Sequence, residues 1–456
     1  MKYVDLFSGC GGLSLGIERA GGQLVLAVEK SDMAARTFYH NLIDDASDAV
    51  QWGRYVASEE NNQIASRLLV RELSVLLENT AAMRDMRSDG LDLVVGGPPC
   101  QGFSLAGRRN PADIRNELPW QYLKFVGATR PRAVVIENVV GMDRSFAKGE
   151  ASSFRQLQQA LAETGEGYVV QGVHVNAVHY GAPQHRPRLM IIAVRTDVAA
   201  DRGITATGET WRSAFVDQIE GDVPSLAPRP TKLMSEMEAV GHAVGDLTAR
   251  GAAIADADSV AYVRSLSKDF WPGRNPAPAE LRNHVRRRHG ERTTQRFRFY
   301  QYLSQSGLDQ RLLSHAARLP EDDAKLLLKH RLLEAPLPAR APDGVCLAES
   351  LEDLVELAYG LATRKHSQKV LSWGEPARTV VTLPDDYVHP LEPRIFTVRE
   401  MARFQGFPDH FEFLGKETTG SQRRRFEVPQ YSQVGNAVSP WLALAVGRKM
   451  STLLSD

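Results

Sequence analysis

Short apolar runs alternate with helix-like stretches from residue 1 to about residue 200, and this alternation constrains the fold more than any other feature of the sequence. Strands that alternate with helices pack as a parallel, doubly wound sheet. The last two apolar runs are close enough in sequence to form a hairpin, which predicts an antiparallel edge. We therefore expect an α/β protein, with strands at Tyr3–Phe7, Leu24–Val28, Leu91–Val95, Ala133–Ile136, Val169–Val178 and Leu189–Val194.

The sequence pattern changes between about Asp201 and Lys365. Apolar runs become shorter, proline and arginine become frequent, and strands no longer alternate with helices. The 456 residues of the chain exceed what one compact core usually holds, so this segment predicts a second, smaller and irregular domain. Regular order is expected to return around Lys369–Leu383 and to continue in helices over Val398–Phe404 and Pro440–Leu454.

The chain carries 55 basic and 55 acidic residues, which gives a net charge of +0. A nucleic-acid partner would therefore require basic residues concentrated on one face. One such concentration runs from Arg282 to Tyr300, where arginines are interleaved with aromatic residues. This pattern is typical either of a solvated helix face or of a nucleic-acid surface, and by itself it does not decide between them.

Cys10, Cys100 and Cys346 are the only cysteines, and they lie far apart without the spacing of a zinc site. Neither a disulfide framework nor a structural metal is indicated. No apolar run approaches the ~20 residues of a membrane span, and the chain enters its first strand without a signal peptide. We expect a cytoplasmic protein with no metal and no membrane partner.

A glycine-rich turn follows the first predicted strand, in the run Asp5-Leu6-Phe7-Ser8-Gly9-Cys10-Gly11-Gly12-Leu13. Glycines let the backbone approach a ligand closely, and the N-terminus of the following helix offers free N–H groups. Glu29 stands just after the second strand, where a carboxylate can accept hydrogen bonds from ribose hydroxyls. The pattern predicts an adenosine-type cofactor. A dehydrogenase would use the same arrangement, although Ser14 stands where the third glycine of its pattern belongs.

A lone cysteine follows a later buried strand, after the turn Gly96-Gly97-Pro98-Pro99. Ligands of open parallel sheets bind beyond the carboxyl ends of the strands, so Cys100 is expected in that crevice. The prolines fix their φ angles and stiffen the approach, which suits the aiming of a nucleophile. Glu137 ends a neighbouring strand, where it is either a simple turn residue or a carboxyl that partial burial keeps protonated and able to donate a hydrogen bond.

Together these residues resemble the DNA (cytosine-5) methyltransferase family, whose ordered motifs occur one after another over roughly residues 1–195 and 369–456. The resemblance implies a Rossmann-like, S-adenosylmethionine-dependent catalytic domain formed by 1–200 and 385–456, with 201–384 as a target-recognition domain. The matching motifs are Asp5–Leu13, Glu29, Pro99-Cys100-Gln101, Glu137-Asn138-Val139, Gln184-His185-Arg186-Pro187-Arg188, Arg399-Glu400-Met401-Ala402-Arg403 with Phe407-Pro408, and Gln433-Val434-Gly435-Asn436.

The resemblance implies covalent catalysis by Cys100, whose thiolate adds to carbon 6 of cytosine and activates carbon 5. Glu137 would hydrogen-bond the ring N3 and the exocyclic amine, while Arg186 and Arg188 would hold the base once it has rotated out of the duplex. The implied cofactor is S-adenosyl-L-methionine, which leaves as S-adenosyl-L-homocysteine. Its implied contacts are Phe7, Gly9, Cys10, Gly11, Gly12, Glu29, Lys30, Asn79, Pro99, Leu118, Asn436, Ala437 and Val438.

One cofactor contact departs from the family pattern, which usually places an aspartate against the adenine amino group. Asn79 is the alignable residue and lacks that charge, and Asp85 competes with it for the role. The stretch Ala46–Glu78 also looks longer than the family needs, and the sequence gives it no role.

The implied partner is double-stranded DNA. The arginine stretch then becomes a predicted DNA surface with contacts at Arg286, Arg288, Arg296 and Arg298, joined by Gln101 and Ser104 at the nucleophile turn. The usual setting of such proteins is a bacterial restriction–modification or defence system. We expect a monomer associated with the nucleoid.

Other interpretations stay open on the sequence alone. A cysteine hydrolase would need a histidine partner for Cys100, for which His179 and His185 are candidates. A non-catalytic DNA-binding relative would typically have lost Cys100 or Glu137, and both are present. An RNA cytosine methyltransferase would carry a shorter middle segment.

Overall fold

The computed structural model describes residues 1–99, 117–143, 151–249, 257–271, 280–420, 423 and 426–455. Eight strands of this described part form one sheet, and four short strands lie outside it. The strands are β1 (Lys2–Leu6), β2 (Gln23–Val28), β3 (Leu68–Leu69), β4 (Leu93–Gly96), β5 (Ala133–Asn138), β6 (Tyr168–Asn176), β7 (Pro187–Arg195), β8 (Trp211–Arg212), β9 (Ala339–Arg340), β10 (Cys346–Ala348), β11 (Lys369–Val370) and β12 (Tyr387–Val388).

Helices flank the sheet and fill most of the rest of the described chain. None of those described is long and apolar enough to cross a membrane. They are α1 (Gly12–Arg19), α2 (Asp32–Leu42), α3 (Ala49–Val56), α4 (Glu60–Ala65), α5 (Leu73–Glu78), α6 (Thr80–Ser88), α7 (Leu118–Thr129), α8 (Ser153–Ala162), α9 (Thr196–Asp201), α10 (Val240–Val244), α11 (Ala257–Phe270), α12 (Glu291–Gln305), α13 (Leu312–Ala316), α14 (Glu321–Leu332), α15 (Leu351–Leu361), α16 (Val398–Gln405), α17 (Gln430–Asn436) and α18 (Pro440–Leu454).

The order of the large sheet is β3-β2-β1-β4-β5-β7-β6-β8. Its first five strands run parallel, whereas β7 lies antiparallel between β5 and β6. The predicted α/β class is confirmed, and the predicted hairpin supplies the antiparallel side. The strands β3 and β8 were not predicted, because two residues are too few to show a periodicity.

Both faces of the sheet are buried. Tyr3 and Val95 belong to a cluster that also contains residues of α1 and α18, and the alternate residues Val4 and Val94 belong to a cluster with α7 and α8. Successive side chains of a strand point to opposite faces, and strands buried on both faces read as continuous apolar runs. These strands could therefore be predicted from their apolar runs in the sequence.

The last helix packs directly against the first. In α1, a Cβ at Gly16 would come within 2.4 Å of the Ala443 side chain and of the Leu444 backbone nitrogen in α18. The absence of a side chain at Gly16 therefore sets the distance between the two helices. The chain ends thus build one layer over the same face of the sheet.

The regular elements in the described part of residues 201–384 are mainly helices, which the sequence pattern did not indicate. Long irregular stretches, such as most of 202–239, agree with the predicted irregular domain. Its later part has a buried cluster of its own, built around Phe299, Leu328 and Leu354. Its earlier part does not join that cluster, because Val240 and Tyr262 pack with residues of α16 and α17. The two parts are therefore attached to different cores.

Gly16→Ala is expected to lower the free energy of unfolding by ~1–3 kcal/mol, because the added methyl group overpacks the contact between α1 and α18. Gly53→Ala is the matched control, since a Cβ at Gly53 in α3 would meet nothing within 4 Å. At Gly53 the better helix propensity of alanine should raise the free energy of unfolding by ~0.5–1 kcal/mol. Urea unfolding followed by circular dichroism measures both, and a neutral Gly16→Ala would contradict the tight contact.

Candidate functional site

The turn between β1 and α1 is held in a conformation that few side chains adopt. Phe7, Gly9 and Gly11 have φ angles of 61°, 57° and 99°. Glycine adopts such angles freely, but for a phenylalanine the strain is of order 1–3 kcal/mol and is typical of functional sites. The turn is fastened to the end of β2, because Glu29 accepts the Gly9 N–H over 2.9 Å and the Ser31 N–H over 2.7 Å.

The turn leaves both space and polar groups for a ligand. A Cβ at Gly9 would meet nothing within 4 Å, so the backbone faces open space there. Ser8 Oγ and Asp5 Oδ1 are buried, and neither has a hydrogen-bond partner among the described residues. These features fit a polar ligand such as the predicted cofactor. The described residues contain no cluster of His, Cys, Asp and Glu able to hold a metal ion.

Two carboxylates make this turn acidic. Burial raises the pKa of Asp5 to about 7; the hydrogen bond from Ser14 lowers it in part, and the charge of Glu29 raises it. Burial also raises the pKa of Glu29, against the hydrogen bonds from Ser31 and Gly9 that favour its charged form. A positively charged ligand would relieve this repulsion, so the turn favours a cationic partner.

The C-terminal segment crosses directly over the turn. A Cβ at Gly12 would lie 2.3 Å from the Val438 carbonyl oxygen, so only glycine permits the crossing. Ala437 and Val438 are almost buried, whereas Asn436 at the end of α17 is exposed. The structure therefore brings the predicted residues 436–438 to the glycine turn.

Cys10 belongs to the core of this crossing. Its thiol is buried 3.6 Å from the Gln433 carbonyl oxygen, and burial raises its pKa to about 12. A thiol in that state is neither a nucleophile nor exposed to a ligand. Any contact of Cys10 with a cofactor is therefore made by its backbone.

The edge of the sheet after β3 offers an acidic residue that the sequence analysis missed. The Glu29 N–H donates to the Leu69 carbonyl over 3.1 Å, so β2 and β3 end side by side. Glu72 follows at once, and its carboxylate lies 3.6 Å from Lys30 Nζ. The signal in the sequence was the short apolar run Leu68-Leu69-Val70 just before an acidic residue.

Asn79 and Asp85, the residues predicted at this edge, lie further along the chain. Asn79 accepts the Ala82 N–H and so caps α6, and its amide donates to Asn61 over 3.0 Å. Asp85 lies within α6. The side chain of Asn79 is thus occupied as a helix cap, whereas Glu72 lies nearer to the end of β2.

The turn after β4 is tied to the end of β5. Asn138 Nδ2 donates to the Pro98 carbonyl over 3.0 Å, which holds the two strand ends together. Pro99 is the last described residue of this turn, and Leu118 begins α7 beyond it. Cys100, Gln101 and Ser104 lie outside the described residues.

Glu137 and Arg188 form an ion pair across the neighbouring strands β5 and β7. Arg188 Nε lies 2.7 Å from Glu137 Oε1, and the two side chains are only 11% and 12% exposed. A Cβ at Gly97 would come within 3.0 Å of Glu137 Oε2, so this glycine makes room for the carboxylate. A charge-assisted hydrogen bond in such a shielded place is strong and fixes both groups.

Arg186, which was predicted to hold the base, is turned away into the core. Its guanidinium donates to the Val380, Gly435 and Ala437 carbonyls over 2.8–3.2 Å, and 1% of the residue is exposed. Burial lowers its pKa well below the usual value. A direct contact with a nucleotide does not fit this arrangement, because the side chain is buried and both terminal nitrogens already donate to the backbone.

The predicted DNA surface is divided by the structure. Arg296 donates to the Leu361 carbonyl over 3.0 Å and Arg298 to Asp343 over 2.8 Å, both within the folded middle segment. Arg286 donates to the Leu247 carbonyl over 2.7 Å but remains exposed, as does Arg288. The aromatic residues between them belong to the core, so the interleaving marks a buried helix face and not a stacking surface.

The sequence matches a known family along almost its whole length. A family model described as C-5 cytosine-specific DNA methylase matches residues 1–452. Type II methyltransferase M.DdeI of Desulfomicrobium norvegicum is 27% identical over 457 residues, covering 99% of this chain and 88% of the relative. Type II methyltransferase M.AgeI of Thalassovita gelatinovora is 29% identical over 494 residues, covering 100% of both chains.

The fold also has a counterpart among solved structures. A crystal structure described as a DNA modification methyltransferase encoded within a prophage of E. coli superposes with a TM-score of 0.53 at 19% identity, covering 100% of both chains. At that identity the likeness concerns the fold alone. It agrees with the doubly wound sheet described above.

Arg186→Lys is expected to lower the free energy of unfolding by ~2–4 kcal/mol, because a single ammonium group cannot reach all three buried carbonyls. Arg155→Lys, at an exposed position of α8, is the matched control and should change stability by less than ~0.5 kcal/mol. Thermal and urea unfolding of the three proteins provide the measurement. An Arg186→Lys protein as stable as the control would show that the guanidinium does not join these segments.

Proposed function

Because the chain belongs to the C-5 cytosine-specific DNA methylase family and is a DNA (cytosine-5)-methyltransferase that uses S-adenosyl-L-methionine, we propose that Cys100, Glu137 and Arg188 act together on one extruded cytosine of a specific duplex sequence. The supporting observation is the shielded Glu137–Arg188 ion pair. It lies at the sheet edge to which Asn138 ties the turn that leads to Cys100.

The proposed chemistry follows from the residue types. Cys100 adds as a thiolate to carbon 6 of the cytosine while protonated Glu137 gives its proton to N3, so the displaced electron pair makes carbon 5 nucleophilic. Bound S-adenosyl-L-methionine supplies the methyl group that carbon 5 takes up. Loss of the carbon 5 proton to solvent and cleavage of the sulfur–carbon 6 bond restore the aromatic ring, and Glu137 takes its proton back from N3.

Arg188 and Arg186 have different proposed roles. Arg188 compensates the charge that Glu137 carries before it takes up its proton and again after it has given that proton to N3. Nη1 of Arg188 donates to the Pro187 carbonyl, so Nη2 is the nitrogen offered to the cytosine O2. Arg186 is a positioning residue, because it fixes the strand that carries Arg188 to the segment around Ala437. It acts on the reaction only through that geometry.

The cofactor contacts are proposed from the same edge of the sheet. Phe7 stacks on the adenine, the backbone of Gly9–Gly12 holds the methionine part, and residues 436–438 close the site. Each Glu29 oxygen already accepts one N–H group and keeps a lone pair for a ribose hydroxyl. Glu72 takes the adenine amino group in place of Asn79.

The remaining residues are proposed to find the target. Residues 201–384 read the DNA sequence, with residues 1–200 and 385–456 as the catalytic domain. The likeness to type II methyltransferases supports a role beside a restriction or defence nuclease that recognises the same site. The enzyme works as a monomer at the nucleoid and without a metal.

Cys100→Ser is expected to reduce methyl incorporation at least ~10³-fold, because the hydroxyl is a far weaker nucleophile for carbon 6. Binding of S-adenosyl-L-homocysteine should be unchanged, which separates chemistry from folding. Cys346→Ser, at the exposed cysteine of β10, is the matched control and should keep full activity. Labelled S-adenosylmethionine with duplex DNA, followed by bisulfite sequencing, gives the readout; label on adenine would refute the function.

Glu72→Gln is expected to weaken S-adenosyl-L-homocysteine binding about 10-fold, because a charge-assisted hydrogen bond to the adenine amino group contributes ~1.4 kcal/mol or more. Asn79→Ala should leave that dissociation constant unchanged and cost only the ~1 kcal/mol of a helix cap. Calorimetric titration measures the affinities and urea unfolding the stabilities. If Asn79→Ala weakens S-adenosyl-L-homocysteine binding and Glu72→Gln does not, the adenine contact belongs to Asn79 and the proposal for Glu72 is wrong.

A further inference from the structure

A basic cleft lies in the middle segment, apart from the residues of the proposed reaction. Its cavity has a volume of about 440 Å³. Four cations line it: Arg311 and Arg318 at the two ends of α13, Lys369 of β11, and Arg378. The lining also contains the histidines 315 and 366 and a single carboxylate, Asp386.

The four cations are gathered without the acidic partners that arginines and lysines of a folded surface usually find. No ion pair joins any of these four side chains to a described residue, whereas Arg298 and Arg403 of the same region are paired with aspartates. Burial lowers the pKa of Lys369, and the charges of Arg378 and Arg311 lower it further. The charge of Asp309 raises that pKa in part, and Asp386 is the other carboxylate nearby. The cleft keeps an excess of positive charge, which raises the local concentration of anions.

The cleft is connected to the strand that carries Arg188. The His185 N–H donates to the Ala377 carbonyl over 2.8 Å, and Thr379 Oγ1 donates to the His185 carbonyl over 2.7 Å. Arg378 therefore lies between two residues bonded to His185. Arg188 is three residues beyond His185, a distance of roughly 10 Å along an extended chain.

We propose that this cleft, defined by Arg311, Arg318, Lys369 and Arg378, binds the phosphates of the target duplex beside the extruded cytosine. The proposal rests on the proposed function and adds to it the residues that hold the DNA backbone. It takes the place of the predicted contacts at Arg296 and Arg298, which are committed within the fold.

The spacing of the cations favours a polyanion over a single phosphate ion. Arg311 and Arg318 are seven residues apart along a helical segment, or about 10 Å at 1.5 Å per residue. One DNA strand advances about 3.4 Å per phosphate, so this span corresponds to about three phosphates. A backbone of several phosphates can therefore engage both arginines at once.

The test compares the double variant Arg318→Gln/Arg378→Gln with the wild type and with Arg331→Gln, an exposed arginine of α14 outside the cleft. Fluorescence anisotropy gives the affinity for long mixed-sequence duplex DNA between 0.05 and about 0.5 M salt. Each lost phosphate contact reduces the slope of log K against log salt by about 0.9, so the double variant should lose about 1.8 units and bind about 60-fold more weakly at 0.1 M salt. The control should match the wild type.

Several outcomes would overturn the proposal. If the double variant shows the same slope of log K against log salt as the control, the cleft does not bind DNA. A loss confined to the methylated sequence, with scrambled duplex unaffected, would make these residues readers of bases. Saturable binding of inorganic phosphate that the double substitution abolishes, with an unchanged DNA slope, would make the cleft a site for a small anion.

Methylation by the wild-type enzyme separates this proposal from the proposed function. If the wild type transfers no label to duplex DNA, the function itself fails. If it transfers label and the double variant keeps the full salt dependence, the cleft alone fails. The melting temperature and the affinity for S-adenosyl-L-homocysteine of the double variant show that its fold and its cofactor site are intact.

Discussion

The buried guanidinium of Arg186 joins parts of the chain that are distant in sequence. Arg186 directly precedes β7 and donates to carbonyls at Val380, Gly435 and Ala437. The hairpin, the segment after β11 and the C-terminal segment are therefore bound by one cation. The same C-terminal segment crosses Gly12 so closely that no Cβ fits. Both the glycine turn and the strand carrying Arg188 thus depend on one crossing point, which explains why a site at one edge of the sheet needs residues from both ends of the chain.

The motif around α16 has an architectural role of the same kind. Burial alone would raise the pKa of Glu400, yet the paired Arg394 guanidinium lowers it to about 2. Arg403 binds both Asp246 and Asp409, and Arg399 donates to the Pro408 and Phe411 carbonyls. Because unpaired buried charges are costly, these residues fix the loops around them in a single arrangement. Their motif marks how the middle segment is anchored to the catalytic side.

The elements that could be predicted were those whose signal is local. Runs such as Leu93–Val95 are apolar because they are buried on both faces, and the final helix was predicted with the bounds that it has. Glu137 was placed beside Cys100 because parallel strand ends meet at one edge, whereas Arg188 was placed at the base only through the family resemblance. Arg186 and Glu72 could not be placed in this way. The direction in which Arg186 points depends on carbonyls about 200–250 residues away, and Glu72 follows a strand of only two residues, whose short apolar run is a weak signal.

Charge is also organised locally, although the chain as a whole is neutral. Asp5 and Glu29 make the glycine turn acidic, which suits a sulfonium cofactor with a free ammonium group, whereas the cleft at Arg311 and Arg378 is cationic, which suits a phosphate backbone. Fields from exposed charges decay over about 8 Å at physiological salt. The two regions can therefore attract ligands of opposite sign without cancelling each other, and the proposed function has the two ligands meet near Arg188 and its partner Glu137.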